Sequence, residues 1–493
     1  MSYILALDQG TTSCRSLLFD TQLQLQTLAQ RSVDVCTPHP GWVEQDARAI
    51  WIAQMTTIQE ALSQANILAT DVAAIGVTNQ RETTIIWRRD NGMPIAPAIV
   101  WQDRRMHTWC ETQTTNGLSE TVQNRTGLRI DSYFSAGKIV WLLAHIDGAR
   151  ALADQGLLAF GTIDSWLIWQ LTRGERHVID ASNAARTMLM DLATVSWSSE
   201  LCAQWHIPCS LLPEIVPSGG LIGTTAKGLL SAEIPIYASI GDQQSALFGH
   251  DCTLPGMAKN TYGTGCFMLM NTGRHIVHSQ HELLSTLAWQ QHQQTVFALE
   301  GSVFMAGAIV QWLRDGLGII NQSHEIEDLA ASVVNNGGVT MVPAFTGLGA
   351  PYWQAEARAA ILGMSRGSSK AHIARAALES IAFQVADVFE AMGEDAPAPL
   401  RELRVDGGAC SNNLLMQFQA DLLGVPVLRP KLTEITALGA AKMAGLAAGL
   451  LQPCDLTGLW QLDRAFEPGI SVDERMDKLN HWRRAVNQVC TNI

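Results

Sequence analysis

The chain is poor in basic charge, and several familiar signatures are missing from it. Its 493 residues carry 33 Lys and Arg against 46 Asp and Glu, a formal charge of −13. A surface of that sign suits neither nucleic acid nor an anionic membrane. The 10 cysteines are scattered from Cys14 to Cys490 without a Cys-x-x-Cys pair. That argues against a disulfide framework or zinc site and for a reduced, cytoplasmic setting. No Gly-x4-Gly-Lys-Ser/Thr occurs, and no Gly-x-Gly-x-x-Gly joins a strand to a helix. A P-loop enzyme and a nicotinamide dehydrogenase are therefore set aside. The first strand begins almost at once, without a basic segment and apolar core, so no secretory leader is expected. The least polar run, Ile435–Leu451, is rich in Ala and Gly and carries Lys442. It reads as a buried helix packed closely on a neighbour, not as a membrane span. Linkers rich in Pro, Gly and Ser are absent too. What remains is a globular chain, 47% hydrophobic and 16% charged, long enough for two or more domains with buried cores.

The opening stretch is the most informative. Two apolar runs, Tyr3–Leu7 and Ser16–Phe19, flank Asp8-Gln9-Gly10-Thr11-Thr12-Ser13, which predicts a β-hairpin. Its turn offers backbone N–H groups, hydroxyls and the cation Arg15, the parts needed to hold a phosphate chain without a helix dipole. Asp8 would repel phosphate unless a divalent cation stood between them. An ordinary tight turn with an Asp at its edge accounts for the same residues. A second hairpin is expected over Lys259–Gly273, where Gly263-Thr264 repeats Gly10-Thr11 about half a chain length later. Two similar domains, each opening with a phosphate-facing hairpin, follow from that spacing.

Between and beyond the hairpins, Leu23–Val35 continues the first sheet, and Asp46 caps a helix running to about Ala65. A strand over Ala73–Thr78 ends at Asn79-Gln80-Arg81-Glu82. Another over Ile234–Ile240 ends at Gly241-Asp242. A third, Leu403–Val405, runs into Asp406-Gly407-Gly408, where glycine would let the backbone approach a flat base. The domain boundary falls in a short crossing near Phe248–Pro255, dividing the chain into 1–248 and 249–493 around a hinged cleft. By position alone, Asp242 is a helix cap, and Arg81 with Glu82 is a charge pair at a turn.

The ordered set Leu7–Ser13, Pro40–Asp46, Asn79–Glu82, Val100–Arg105, Gly241–Gln244, Asn260–Phe267, Gly301-Ser302, Pro343–Trp353 and Val405–Gly408 resembles the FGGY carbohydrate kinases, and within them the branch that acts on glycerol. The resemblance implies an α/β fold of two ribonuclease-H-like domains of the actin/hexokinase type around a cleft. It implies ATP- and Mg²⁺-dependent phosphorylation of glycerol to sn-glycerol 3-phosphate, with Asp242 as general base. Arg81, Glu82, Tyr133, Asp242 and Gln243 would contact the alcohol, and Trp101 and Phe267 would wall its carbons. Thr11, Thr12, Ser13, Arg15 and Thr264 would hold phosphates. Gly307 and Gln311 would flank the ribose and base, Gly408 and Asn412 would line the adenine pocket, and Asp8 would hold Mg²⁺ through water. A homo-oligomer, dimer or tetramer, without membrane insertion, is implied as well. Two alternatives stay open: an FGGY kinase of another short polyol or sugar, and a non-catalytic actin-like ATP-binding protein. The chain departs from the family pattern at Cys14, Gln354 and Ile435. Its stretch Gly223–Glu233 has Lys227 but no Arg, so inhibition by a sugar bisphosphate, known in some relatives, is not expected.

Overall fold

Tyr3–Gln9 (β1) and Ser13–Asp20 (β2) pair antiparallel, and Leu25–Ser32 (β3) continues from β2. The computed structural model describes residues 2–491 apart from 292, 397 and 457. Val72–Asn79 (β4) lies parallel to β1. Gly219–Thr224 (β5) and Pro235–Gly241 (β6) follow, with β6 parallel to β4. From Ile4 to Gln9, β1 is buried on both faces, as a strand covered by helices on each side must be.

The second half repeats the scheme. Ala258–Tyr262 (β7) and Cys266–Gly273 (β8) form the second hairpin, and Leu284–Gln291 (β9) with Gln294–Val303 (β10) extends its antiparallel side. Leu403–Asp406 (β11) and Val427–Pro430 (β12) extend its parallel side, and Leu462–Phe466 (β13) closes the edge. Each half is thus an antiparallel group continued by two parallel strands, as the paired hairpins lead one to expect. One bridge, Gly219 to Gln291, joins the halves into a 13-stranded sheet.

The helices place the functional segments. Ala47–Ala65 (α1) starts at Asp46, whose carboxylate accepts from the backbone N–H groups of Arg48 and Ala49. Asp242–Gly249 (α2) begins directly on the end of β6. Gly307–Asp315 (α3), Lys370–Asp395 (α4) and Asn413–Leu423 (α5) cover the second half. Ile435–Ala447 (α6) is the buried small-residue helix. Although it comes late in the chain, it packs on β1, β4, β6 and α2 of the first half. The approach is so close that a Cβ on Gly439 would stand 1.9 Å from the Ser245 carbonyl oxygen, so only glycine fits there. Lys442, the charge within that apolar helix, donates to the Gly249 carbonyl and the Asp251 carboxylate. It ties α6 to the crossing between the halves. Among the described residues no helix is long and apolar enough to cross a membrane.

Candidate active site

The chain leaves β4 through a kink. Thr83 N–H donates to the Arg81 carbonyl, and Glu82 sits in the left-handed region at φ 62°, a strained backbone typical of functional positions. The strain is held by the Glu82 carbonyl, which accepts from Ser135 Oγ and Lys138 Nζ at 3.1 and 3.2 Å. This kink turns Arg81 and Glu82 toward α2. The result is a cavity of about 160 Å³ whose lining includes Arg81, Glu82, Trp101, Tyr133, Asp242, Gln243 and Phe267, every residue expected to meet the alcohol. Thr11 of the first hairpin and Thr261 and Gly263–Gly265 of the second complete it. Trp101 meets Tyr133 and Phe267 edge-on, with ring centroids 5.8 and 5.7 Å apart. Its Nε1–H donates to Thr11 Oγ1 at 2.9 Å, joining the apolar wall to the hairpin.

Beneath the cavity lies an ion network that crosses between the halves. Arg81 is buried, and its guanidinium meets both oxygens of Glu300, at 2.6 and 2.9 Å. Its Nε lies 3.3 Å from Asp242 Oδ1. Arg186 bridges Glu82 at 2.6 Å and Glu300 at 2.9 Å. Most donors of Arg81, which the sequence suggested would serve hydroxyls, are therefore engaged in holding carboxylates. Burial alone would push the Glu300 carboxyl up, but Arg186 and Arg81 outweigh it and hold it down to about 2. Burial raises the Asp242 carboxyl above its ordinary value, with Arg81 opposing. Lys259, on β7, has its ammonium pushed down to about 8 by burial. With Arg81, Arg186 and Lys259 set against Glu82, Asp242 and Glu300, the charges balance. Such a pocket suits a neutral guest better than an anion.

A second cavity, of about 450 Å³, gathers Thr264, Gly307, Gln311, Gly408 and Asn412. The first turn of α3 leans on the second hairpin: Gly307 and Ala308 donate to the Gly263 and Thr264 carbonyls. A Cβ on Gly307 would lie 2.6 Å from the Gly263 oxygen. Gly407 holds φ 88°, while Gly408 faces open space. Asn412 has a structural task as well, since its Oδ1 caps α5 by accepting from Leu415 N–H at 2.8 Å. The two cavities share Gly263 and Thr264.

Family models for the N-terminal and C-terminal domains of the FGGY family of carbohydrate kinases match residues 3–249 and 258–448. The chain belongs to this family. It is 59% identical, over the full length of both chains, to a glycerol kinase of Acinetobacter baylyi. It is 57% identical to one of Trichlorobacter lovleyi, with 99% of each chain covered. A solved glycerol kinase of Plasmodium falciparum with ADP superposes with a TM-score of 0.90 at 35% identity, covering 99% of this chain and 98% of that one. A ligand-bound xylulose kinase of Lactobacillus acidophilus, at 20% identity and a TM-score of 0.86 over 100% of this chain and 97% of that one, shares the fold.

Within this FGGY kinase, Asp8, Thr12, Ser13 and Arg15 line neither cavity. The Gly10 N–H closes the hairpin turn on the Ser13 carbonyl, and Thr12 is exposed. Arg15 bonds Glu434 at 2.5 Å and lies 3.9 Å from Asp8. The Asp8 carboxyl is pushed up to about 7, by burial first, with Glu434 and Asp242 adding and Arg15 opposing. A buried carboxylate whose neighbouring cation, Arg15, is bonded to Glu434 is a fitting oxygen donor for Mg²⁺. Among the described residues no cluster of three metal-binding side chains forms, but Mg²⁺ that keeps its water and leans on phosphates needs only one or two carboxylates. Sequence reasoning missed Glu300, Arg186 and Lys259 as parts of the site.

Proposed function

We propose that the chain transfers the γ-phosphoryl group of ATP to glycerol, giving ADP and sn-glycerol 3-phosphate. The observation that carries this reading is the pair of cavities sharing the Gly263-Thr264 turn, one small and charge-balanced, the other larger and glycine-lined. An alcohol in the first and a nucleoside in the second would meet over that turn. The relatives named glycerol kinase, similar along the whole chain, support glycerol as the alcohol.

In this mechanism Glu82 and Gln243 orient the alcohol, while Trp101 and Phe267 exclude water from its carbons. Asp242 takes the hydroxyl proton as the oxygen approaches phosphorus, and Arg81 fixes the direction of that carboxylate. Thr11 and Thr264 contribute hydroxyls and backbone N–H groups to the phosphates, with Thr12, Ser13 and Arg15 at the outer side of the first hairpin. Gly307, Gln311, Gly408 and Asn412 cradle the nucleoside. Asp8 would hold Mg²⁺, which supplies charge neutralisation on the phosphates when bound. Closure of residues 1–248 on 249–493 would shut out water, the competing acceptor. All 10 cysteines are free, which supports a reducing, cytoplasmic setting.

The test is ADP release with Mg-ATP against glycerol, dihydroxyacetone, erythritol and pentitols. Glycerol should give the highest kcat/KM, and Asp242→Asn should lose about 10²–10⁴-fold in kcat while still binding nucleotide. ATP turnover indifferent to any alcohol would sink the reading.

A further inference from the structure

Lys259 has no exposed surface, and a lysine is seldom so buried unless its charge is taken up by specific partners. Its ammonium donates to Gln243 Oε1, to Thr261 Oγ1 at 2.9 Å and to the Phe267 carbonyl at 3.3 Å. The residues supplying these acceptors all line the small cavity, while Lys259 itself does not. We infer that Lys259 is a positioning residue for phosphoryl transfer, which turns the Gln243 amide so that its N–H group, not its oxygen, is left for the alcohol. The inference rests on the reading of that cavity as the glycerol site.

The argument is one of hydrogen-bond polarity. An ammonium has three donors and no acceptor, so the atom of Gln243 that meets it must be the carbonyl oxygen. Nε2 is then the polar atom left over. Asp242, the preceding residue, offers only acceptors when ionised. Side by side they form an acceptor and a donor. One hydroxyl can give its proton to Asp242 while the oxygen of its neighbour accepts from Gln243, which is the pattern a vicinal diol presents. The opposite amide orientation would set two acceptors against the alcohol. Burial lowers the ammonium's pKa, while Asp406, Asp242 and Glu300 favour its charged form and Arg81 opposes it. A lysine that merely filled the core would not direct its bonds so consistently to cavity residues.

Two variants test this, measured beside the wild type with glycerol and Mg-ATP. Lys259→Met keeps the length of the side chain and removes its donors. Gln243→Glu keeps an acceptor for Lys259 but replaces the amide donor by a second acceptor. Each should raise the glycerol KM by roughly tenfold, the scale of one substrate hydrogen bond, with the ATP KM within about twofold of wild type. Should Lys259→Met fail to fold, Gln243→Glu decides alone. Wild-type glycerol affinity in Gln243→Glu, or a parallel rise of both KM values in Lys259→Met, overturns the inference. A wild-type protein inactive on glycerol would instead refute the glycerol reading itself.

Discussion

Replacing Glu300 by Gln probes the buried network at the point where its bonds converge. Glu300 has no exposed surface and bonds both Arg81 and Arg186. Its carboxyl is held at about 2 against an ordinary 4.5, burial opposing and the two arginines prevailing. At 1.36 kcal/mol per pKa unit, the ionised group contributes about 3 kcal/mol of stability at neutral pH. A second route gives the same scale: removing one member of a buried ion pair costs about 3–5 kcal/mol, because the remaining charge is left uncompensated. The sign follows from a depressed acid pKa. The contribution is complete above about 4.5 and fades as pH falls toward about 2. Urea denaturation at pH 7 should therefore show Glu300→Gln less stable by roughly 3 kcal/mol, with the gap narrowing at about pH 3. Freed from Glu300, Arg81 should also hold Asp242 less firmly, so the glycerol KM should rise. A variant within about 1 kcal/mol of wild type at pH 7, or a gap unchanged in acid, would refute the account of the network.

Trp101→Phe keeps the aromatic wall but removes the bond to Thr11 Oγ1. A loss of about 1 kcal/mol should raise the KM of ATP as well as that of glycerol by roughly fivefold; an unchanged ATP KM would show that wall and hairpin are uncoupled. Gly439→Ala drives a methyl into the Ser245 carbonyl. Overpacking of this kind costs about 1–3 kcal/mol or more, so the Tm should fall clearly, and a wild-type Tm would rule out the close approach of α6.

Features written in local pattern were legible before the fold was seen. The two hairpins, the Asp46 cap and the strand end at Asp242 each depend on neighbours in sequence, and each forms where expected. Arg81 and Glu82 were visible as charges at a strand end. What they bind was not, because Glu300 lies 219 positions from Arg81, and the Gly301-Ser302 motif beside it gives no sign of an arginine partner. Arg186, in a short turn after Asn183, gives no more sign of its role. Lys259 was visible as the first residue of the second hairpin motif, but only the fold brings it beside Gln243. The packing of α6 on the first half was hidden for the same reason: a run of Ala and Gly announces close contact without naming the partner.

That packing bears on how the protein can be divided. Leu438, Ala441 and Ala444 of α6 cover Ile4, Ala6, Ala74, Ala238 and Ile240 in one core cluster. A gene fragment stopped at the family-model boundary, residue 249, would leave this trough of small apolar side chains bare to water, a surface prone to self-association. Supplying the missing piece as a separate chain that includes residues 435–447 is the rational route to a split version of the enzyme.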